Sequence, residues 1–225
     1  MKNKIVIIGI GETAKLAYEY FTYDSKYEVV AFSADREYIK INEDHLFGIR
    51  IIPIDELQSV YPPSDYFAFV AVSSGALNYE RTDLYKRIKS FGYTLVSYIS
   101  SKAFVWHNVE IGDNCFILED NTLQPFTKIG NNVVMWSGNH LGHRSVIEDN
   151  CFITSHVVIS GFCKIGHNTF IGVNTSIADS VNIGCDNFIS LGAVINKNTP
   201  DNVVLKTTQS QYSIVTAKKL CKVKE

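Results

Sequence analysis

The residues able to do chemistry crowd into one stretch of this 225-residue chain, Gly138-Asn139-His140-Leu141-Gly142-His143-Arg144-Ser145, followed by Ser155-His156. Imidazoles at this density serve as proton acceptors near neutral pH or, in principle, as zinc ligands. A second feature is the turn Gly9-Ile10-Gly11-Glu12-Thr13-Ala14, which follows the apolar run Lys4 to Ile8 and opens a helical pattern. Backbone N–H groups at such a helix start suit a diphosphate, although Ala14 in place of a third glycine makes the turn only a partial dinucleotide fingerprint. The five cysteines form no CxxC pair, so neither a disulfide framework nor a cysteine zinc site is expected.

What positions these groups is a period of six. From Ile99 to Ile195, stepping by six residues meets an aliphatic side chain every time: Ile99, Val105, Ile111, Ile117, Leu123, Ile129, Met135, Leu141 and onward without a miss. The residues two before each of them are small or compact, among them Cys115, Cys151 and Cys163, which are read as packed thiols. One large and one small inward position per hexad describes a short strand followed by a corner, with three strands closing a triangular coil of eighteen residues. Phe116, Val134, Phe152, Phe170 and Phe188 stand eighteen apart and form an outward ladder, expected to serve lateral packing. The recurrent glycine after the aliphatic residue is read as a corner requirement. Burying the aliphatic column does not by itself offset the ordering of about a hundred residues, so one prism is expected to pack on another.

Residues 1–98 alternate strand and helix patterns and predict a small parallel sheet. Strands are expected at Lys4 to Ile8, Tyr27 to Phe32, Tyr66 to Val72 and Tyr93 to Tyr98. Helices are expected from the glycine turn to Tyr23, over Ile54 to Tyr61 and over Asn78 to Ser90. Residues 99–204 make the prism, and residues 205–225 a tail with a helix from Ser210 to Leu220. The net charge of −2, with no run of like charges, argues against a nucleic-acid or anionic-membrane partner. No apolar stretch reaches eighteen residues, and the run after Met1-Lys2-Asn3-Lys4 is too short for a signal peptide, so a cytoplasmic protein is expected.

The hexad pattern resembles the left-handed parallel β-helix of the hexapeptide acyltransferases. With a Gly9-x-Gly11 sheet domain placed ahead of it, nearly the whole chain resembles the sialic acid O-acetyltransferase family, which includes N-acetyltransferases of nucleotide-linked amino-deoxy sugars of the bacillosamine and perosamine type. The fold this resemblance implies is a Rossmann-like α/β domain followed by a left-handed β-helix. It further implies acetyl-CoA as acyl donor, a nucleotide-linked amino sugar as acceptor, a role in surface glycan biosynthesis, a homotrimer and no metal. By the same resemblance His143, two residues past Leu141, takes the place of the base, and Gly161, Val173, Leu191 and Lys206, with Lys197 nearby, that of acetyl-CoA contacts. Gly11, Glu12, Thr13, Asp35 and Ser73 take the place of the nucleotide-sugar site, and His140 and His156 line the acceptor pocket. A zinc site from His140, His143 and His156 is not expected, because His143 falls at a different corner from His156.

Two positions depart from the family. Arg144 follows the base where such enzymes usually carry Glu or Asp, leaving Glu148 or Asp120 to support the imidazolium. Phe152 stands where the bacillosamine-type enzyme has a histidine. Sugar O-acetylation and a non-catalytic sugar-binding scaffold stay open as alternatives, the first weakened by Arg144 and the second by the density of polar groups at 138–145.

Overall fold

The structure is a computed structural model that describes residues 3–40, 44–208 and 213–223. The N-terminal part is built on β1 (Asn3–Ile8), α1 (Glu12–Tyr23), β2 (Tyr27–Ala34), β3 (His45–Leu46), β4 (Ile49–Pro53), α2 (Leu57–Val60), β5 (Phe67–Val70) and α3 (Tyr79–Ser90). Its sheet has the order β3-β4-β2-β1-β5. All neighbours are parallel except β3 and β4, a tight hairpin that makes the sheet mixed where a parallel one was expected. The four buried residues ending β1, Val6 to Ile8 with Ile5, are apolar on both faces because helices and prism cover both sides of the sheet. The strand expected over Tyr93 to Tyr98 does not form. Leu95 makes one isolated bridge to Ala68, and Tyr98-Ile99 instead starts the prism by pairing with Phe116-Ile117.

From there the chain winds through two-residue strands that pair in parallel with the strand eighteen residues on, for example His140-Leu141 with Val158-Ile159. Three sheets result. The covered face starts at Tyr98–Ile99 and Phe116–Ile117, the histidine face contains Thr122–Leu123 and His140–Leu141, and the lysine face contains Lys128–Ile129 and Lys164–Ile165. The aliphatic column from Ile117 to Ile195 forms one buried core with the small column, Cys115, Cys151 and Cys163 included. Polar members of the small column donate to backbone: Ser145 Oγ to the Ser160 carbonyl at 2.8 Å, and Asn121 Nδ2 to the Leu118 and Trp136 carbonyls, while Asn121 Oδ1 stays buried without a partner.

The corners follow a rule different from the one read in the sequence. The left-handed residue is the third after the aliphatic, as in Asn132, Asn150, Asn168 and Asp186, and not the first. Asn and Asp tolerate that conformation best among residues with a side chain. The glycine directly after the aliphatic serves close stacking: a Cβ on Gly142 would lie 2.4 Å from the Ser160 carbonyl carbon, and one on Gly172 2.4 Å from the Leu191 nitrogen. The last coil skips its strand on the lysine face, Asn198 Oδ1 accepting from Asn182 N there, and Val204–Leu205 closes the covered face against Phe188–Ile189. Of the expected tail helix, α4 (Ala217–Leu220) forms, capped by Thr216; residues 213–215 are not helical, and Ser210 lies outside the described residues.

The N-terminal part lies on the covered face. Phe116, Val134 and Phe152 are buried beneath it, while Phe170 and Phe188 continue the ladder as stacked rings 4.9 Å apart. Helix α3 runs along the corner between the lysine and covered faces. Tyr85 Oη donates to Asp113, Asn78 Nδ2 to the Asn168 carbonyl and Tyr79 Oη to Asp186. Arg81, 1% exposed, reaches the carbonyls of Asn132, Asn150 and Cys151 and stands over the Phe152 ring. On the opposite edge of the covered face Tyr20 Oη donates to Glu119 at 2.8 Å.

Candidate active site

The third corner, between the histidine and lysine faces, receives none of these hydrogen bonds from the N-terminal part among the described residues, and it carries His143. Its backbone N–H donates to Gln124 Oε1 at 2.9 Å, and its exposed ring meets Phe162 edge-on at 5.0 Å. Gly161 lies one coil further along. A Cβ built there would sit 2.7 Å from His143 Cε1, 3.1 Å from His143 Nδ1 and 2.9 Å from Asp179 Oδ1. The column therefore reads imidazole, bare backbone, carboxylate, from three successive coils. Asp179 Oδ1 and His143 Nδ1 can be no further apart than those last two distances laid end to end.

Asp179 is a carboxylate at this corner that sequence reasoning did not weigh. It stands thirty-six residues past His143, two turns of the eighteen-residue period, and that arithmetic was the signal available. The two carboxylates weighed for the role sit elsewhere. Asp120 is at the corner between the covered and histidine faces, and Glu148 is at the corner between the lysine and covered faces, paired with Lys164 Nζ at 2.7 Å. Burial opposes ionisation of Glu148, but the Lys164 contact prevails and holds its carboxyl below the usual range. Arg144 does not crowd the imidazole from a free position: its guanidinium stacks on the Phe126 ring, 4.6 Å from the centroid. Phe152 is on the covered face under Arg81, away from this corner.

The other expected site residues fall into three places. His140 is half-buried on the histidine face, between Thr122 and Val158 in the ladder. His156 is at the corner between the covered and histidine faces, its ring against Gly138, and Val173 and Leu191 are exposed on that same corner one and two coils further along. Gly161 is thus separated from Val173 and Leu191 by the width of the histidine face within one chain. Lys206 is exposed just past Val204–Leu205, and Lys197 in the shortened last coil is exposed too. That histidine face and its two corners also expose Phe104, Trp106, Phe126, Val158, Phe162 and Val194. Exposed apolar patches of this kind occur at protein–protein contacts and at ligand-binding grooves.

The glycine turn lies at the carboxyl end of β1. Gly9, at φ 128°, brings its α-carbon against the Ala71 carbonyl, where a side chain would be 2.6 Å from the oxygen. Gly11 begins α1, and a Cβ there would meet nothing within 4 Å, so the fold itself places no demand for glycine at that position. Thr13 is half-buried, and Glu12 is exposed and paired with Lys15. Ser73 follows β5 and hands its carbonyl to Arg81. Asp35, open in the sequence between a ligand role and a solvated one, is held by Arg87 Nη1 at 2.8 and 3.0 Å. The loop 73–78 carries three successive left-handed residues, Ala76, Leu77 and Asn78, a costly arrangement held by the Arg81 and Asn78 contacts to the prism.

Fold and corner geometry define a β-helix of six-residue repeats with a small α/β sheet domain docked on one face. Residues 126–161 match the model of the bacterial transferase hexapeptide (six repeats). No curated protein matches the chain. Among solved structures, the acetyltransferase domain of PglB from Neisseria gonorrhoeae superposes with a TM-score of 0.78 at 22% identity, covering 90% of this chain and 96% of that one. PerB from Caulobacter crescentus, solved with CoA and GDP-perosamine, gives 0.79 at 22% identity, covering 89% and 92%. WeeI from Acinetobacter baumannii gives 0.57 at 20% identity, covering 89% and 94%. Over about nine-tenths of its length the chain has the fold of these proteins.

Proposed function

We propose that this protein is an acetyl-CoA-dependent N-acetyltransferase that acetylates the amino group of a nucleotide-linked amino-deoxy sugar, a cytoplasmic step in making a surface glycan. The observation that carries this reading is the His143–Gly161–Asp179 column, on a prism corner that the described residues of the N-terminal part leave without a hydrogen bond. The glycine turn and loop 73–78 lie on the covered side, across the prism from that corner. A complete site therefore needs a second copy to bring its neighbouring surface to His143. A homotrimer closed on the exposed histidine face meets this need, with acetyl-CoA in the seam between Gly161 of one copy and the Val173 and Leu191 corner of the next. Lys206 and Lys197 lie at the end of that seam, where the phosphates of the donor would emerge.

In this arrangement the sugar amine attacks the thioester carbonyl carbon while His143 accepts its proton. The tetrahedral intermediate collapses with departure of the CoA thiolate, which recovers the proton from the imidazolium. Asp179 steadies that imidazolium, and Gly161 lets the thioester approach the ring without a side chain in the way. The nucleotide diphosphate rests on the N–H groups at the start of α1, with Gly11, Glu12, Thr13 and Ser73 around it and His140 and His156 beside the sugar.

The test is release of CoA thiol from acetyl-CoA against a panel of UDP-, dTDP- and GDP-linked amino sugars and their free sugars. Only linked amino sugars are expected to turn over. His143→Ala is expected to lower turnover about 100-fold or more with the oligomer intact, the scale of losing a general base. Asp179→Asn is expected to lower it less. Full activity of His143→Ala would remove this corner from the reaction.

A further inference from the structure

A second cluster of chemistry-bearing side chains stands at the corner between the lysine and covered faces, well apart from His143. Glu148, His167 and Cys185 come from three successive coils, and each offers a ligand atom within 4.8 Å of the other two. Glu148 Oε2 is 3.6 Å from His167 Nδ1, close to the edge of a tetrahedron around a zinc ion with bonds of about 2.1 Å. The other ring nitrogen, Nε2, faces Asp186 Oδ2 at 4.0 Å. Asp186 is itself anchored, its other oxygen accepting from Tyr79 Oη and Asn168 Nδ2 at 2.9 and 3.0 Å. At 4.0 Å this carboxylate makes an electrostatic contact rather than a hydrogen bond, and it lies on the side where a carboxylate orients a metal-bound imidazole. Glu148 is oriented in the same way by Lys164 Nζ on Oε1 and by the His167 backbone N–H on Oε2.

We propose that Glu148, His167 and Cys185 bind a divalent ion of the zinc class through Oε2, Nδ1 and Sγ, with water in the fourth position, and that the ion staples three coils together. Nitrogen, thiolate sulfur and carboxylate oxygen form a donor set that favours zinc over magnesium or calcium. Binding displaces the thiol proton of Cys185 to solvent, as metal coordination by cysteine requires. The carboxylates of Glu148, Asp186 and Asp201 and the Cys185 thiolate then gather negative charge at this corner, which the Lys164 ammonium offsets only in part and a divalent cation offsets further. A recess of about 450 Å³ lined by Gly130, Val146, Glu148, Asp149, Asn150 and His167 opens the position to solvent. The sequence hid this trio because its members are nineteen and eighteen residues apart, outside any compact ligand motif. Nothing in it depends on the acetyl-transfer reading.

The experiment is titration of the purified full-length chain, carried in a Cys221→Ser background to remove the exposed tail thiol, with Zn²⁺ in competition with a chromogenic chelator. One ion per chain is expected, with a rise in the thermal midpoint. Asp186→Asn, which leaves all three ligands in place, is expected to weaken binding about 10- to 100-fold, and Cys185→Ser and His167→Asn at least as much. Co²⁺ should give a near-ultraviolet thiolate-to-metal absorption that Cys185→Ser lacks. Absence of uptake by the parent chain, or uptake that neither Cys185→Ser nor His167→Asn weakens, would overturn the proposal. The absorption band is read without reference to stability or activity, so a poorly folding variant does not decide the outcome.

Discussion

A single methyl group tests the active-corner geometry. Gly161→Ala would place a Cβ 2.7 Å from His143 Cε1 and 2.9 Å from Asp179 Oδ1, where ordinary carbon contacts need about 3.5–4.0 Å. The imidazole must therefore retreat by about 1 Å, a displacement that costs on the order of 100-fold when it falls on a reacting group. Both neighbours are exposed side-chain ends rather than backbone, so they can give way and stability should change by no more than about 0.5 kcal/mol. Gly142→Ala is the contrasting variant. There the Cβ meets backbone atoms, the Ser160 carbonyl carbon at 2.4 Å and the Gly161 nitrogen at 2.5 Å, and neither can move without shifting a coil. It should cost about 1–3 kcal/mol as overpacking. The assay is kcat/KM for CoA release beside thermal unfolding of each variant. Gly161→Ala with parent activity would refute the reasoning, since it would mean that the space between His143 and Asp179 carries no chemistry.

Two further predictions concern the seam between the N-terminal part and the prism. Arg81→Ala leaves the carbonyls of Ser73, Asn132 and Asn150 without the Arg81 donor in a buried seam, while the Cys151 carbonyl keeps the Val134 N–H, and should destabilise the fold by about 3 kcal/mol in denaturant unfolding. Burial already pushes the Arg81 guanidinium down to about 10, so Arg81→Met, which removes the buried charge while keeping much of its volume, should cost less than Arg81→Ala. Asp24 accepts from the Tyr98 hydroxyl and the Ser101 backbone N–H, and these bonds, those from Ser101 first, hold its carboxyl below the usual range. Its contribution is therefore present above the unfolded-state value of about 4 and lost as pH falls through the lower folded-state value. Thermal midpoints of the parent chain and Asp24→Ala should differ at pH 6 and converge in strong acid; a constant gap at every pH would contradict the assignment.

The hexad of aliphatic residues was enough to determine the prism, because a six-residue period with one large and one small inward position leaves the chain a single way to bury both columns. The corner assignment of His143, its separation from His156 and the placing of Gly161 over it followed from counting in eighteens. Local pattern also served for α1 and α3. It failed where partners far along the chain decided the outcome. Tyr93 to Tyr98 is apolar enough for a strand of the sheet, but its end is drawn into the first coil by Phe116-Ile117. The hairpin of His45–Leu46 and Ile49–Pro53 is held by tertiary pairing to β2 that no short-range signal announces. Composition could not tell which of three equivalent prism faces the sheet domain would cover; the buried phenylalanine ladder and Arg81 decided that. Asp179 beside the imidazole, and Glu148, His167 and Cys185 beside one another, are likewise products of winding. Residues eighteen or more apart become neighbours only when coil is laid on coil, and the sequence records their spacing but not the direction in which each side chain turns.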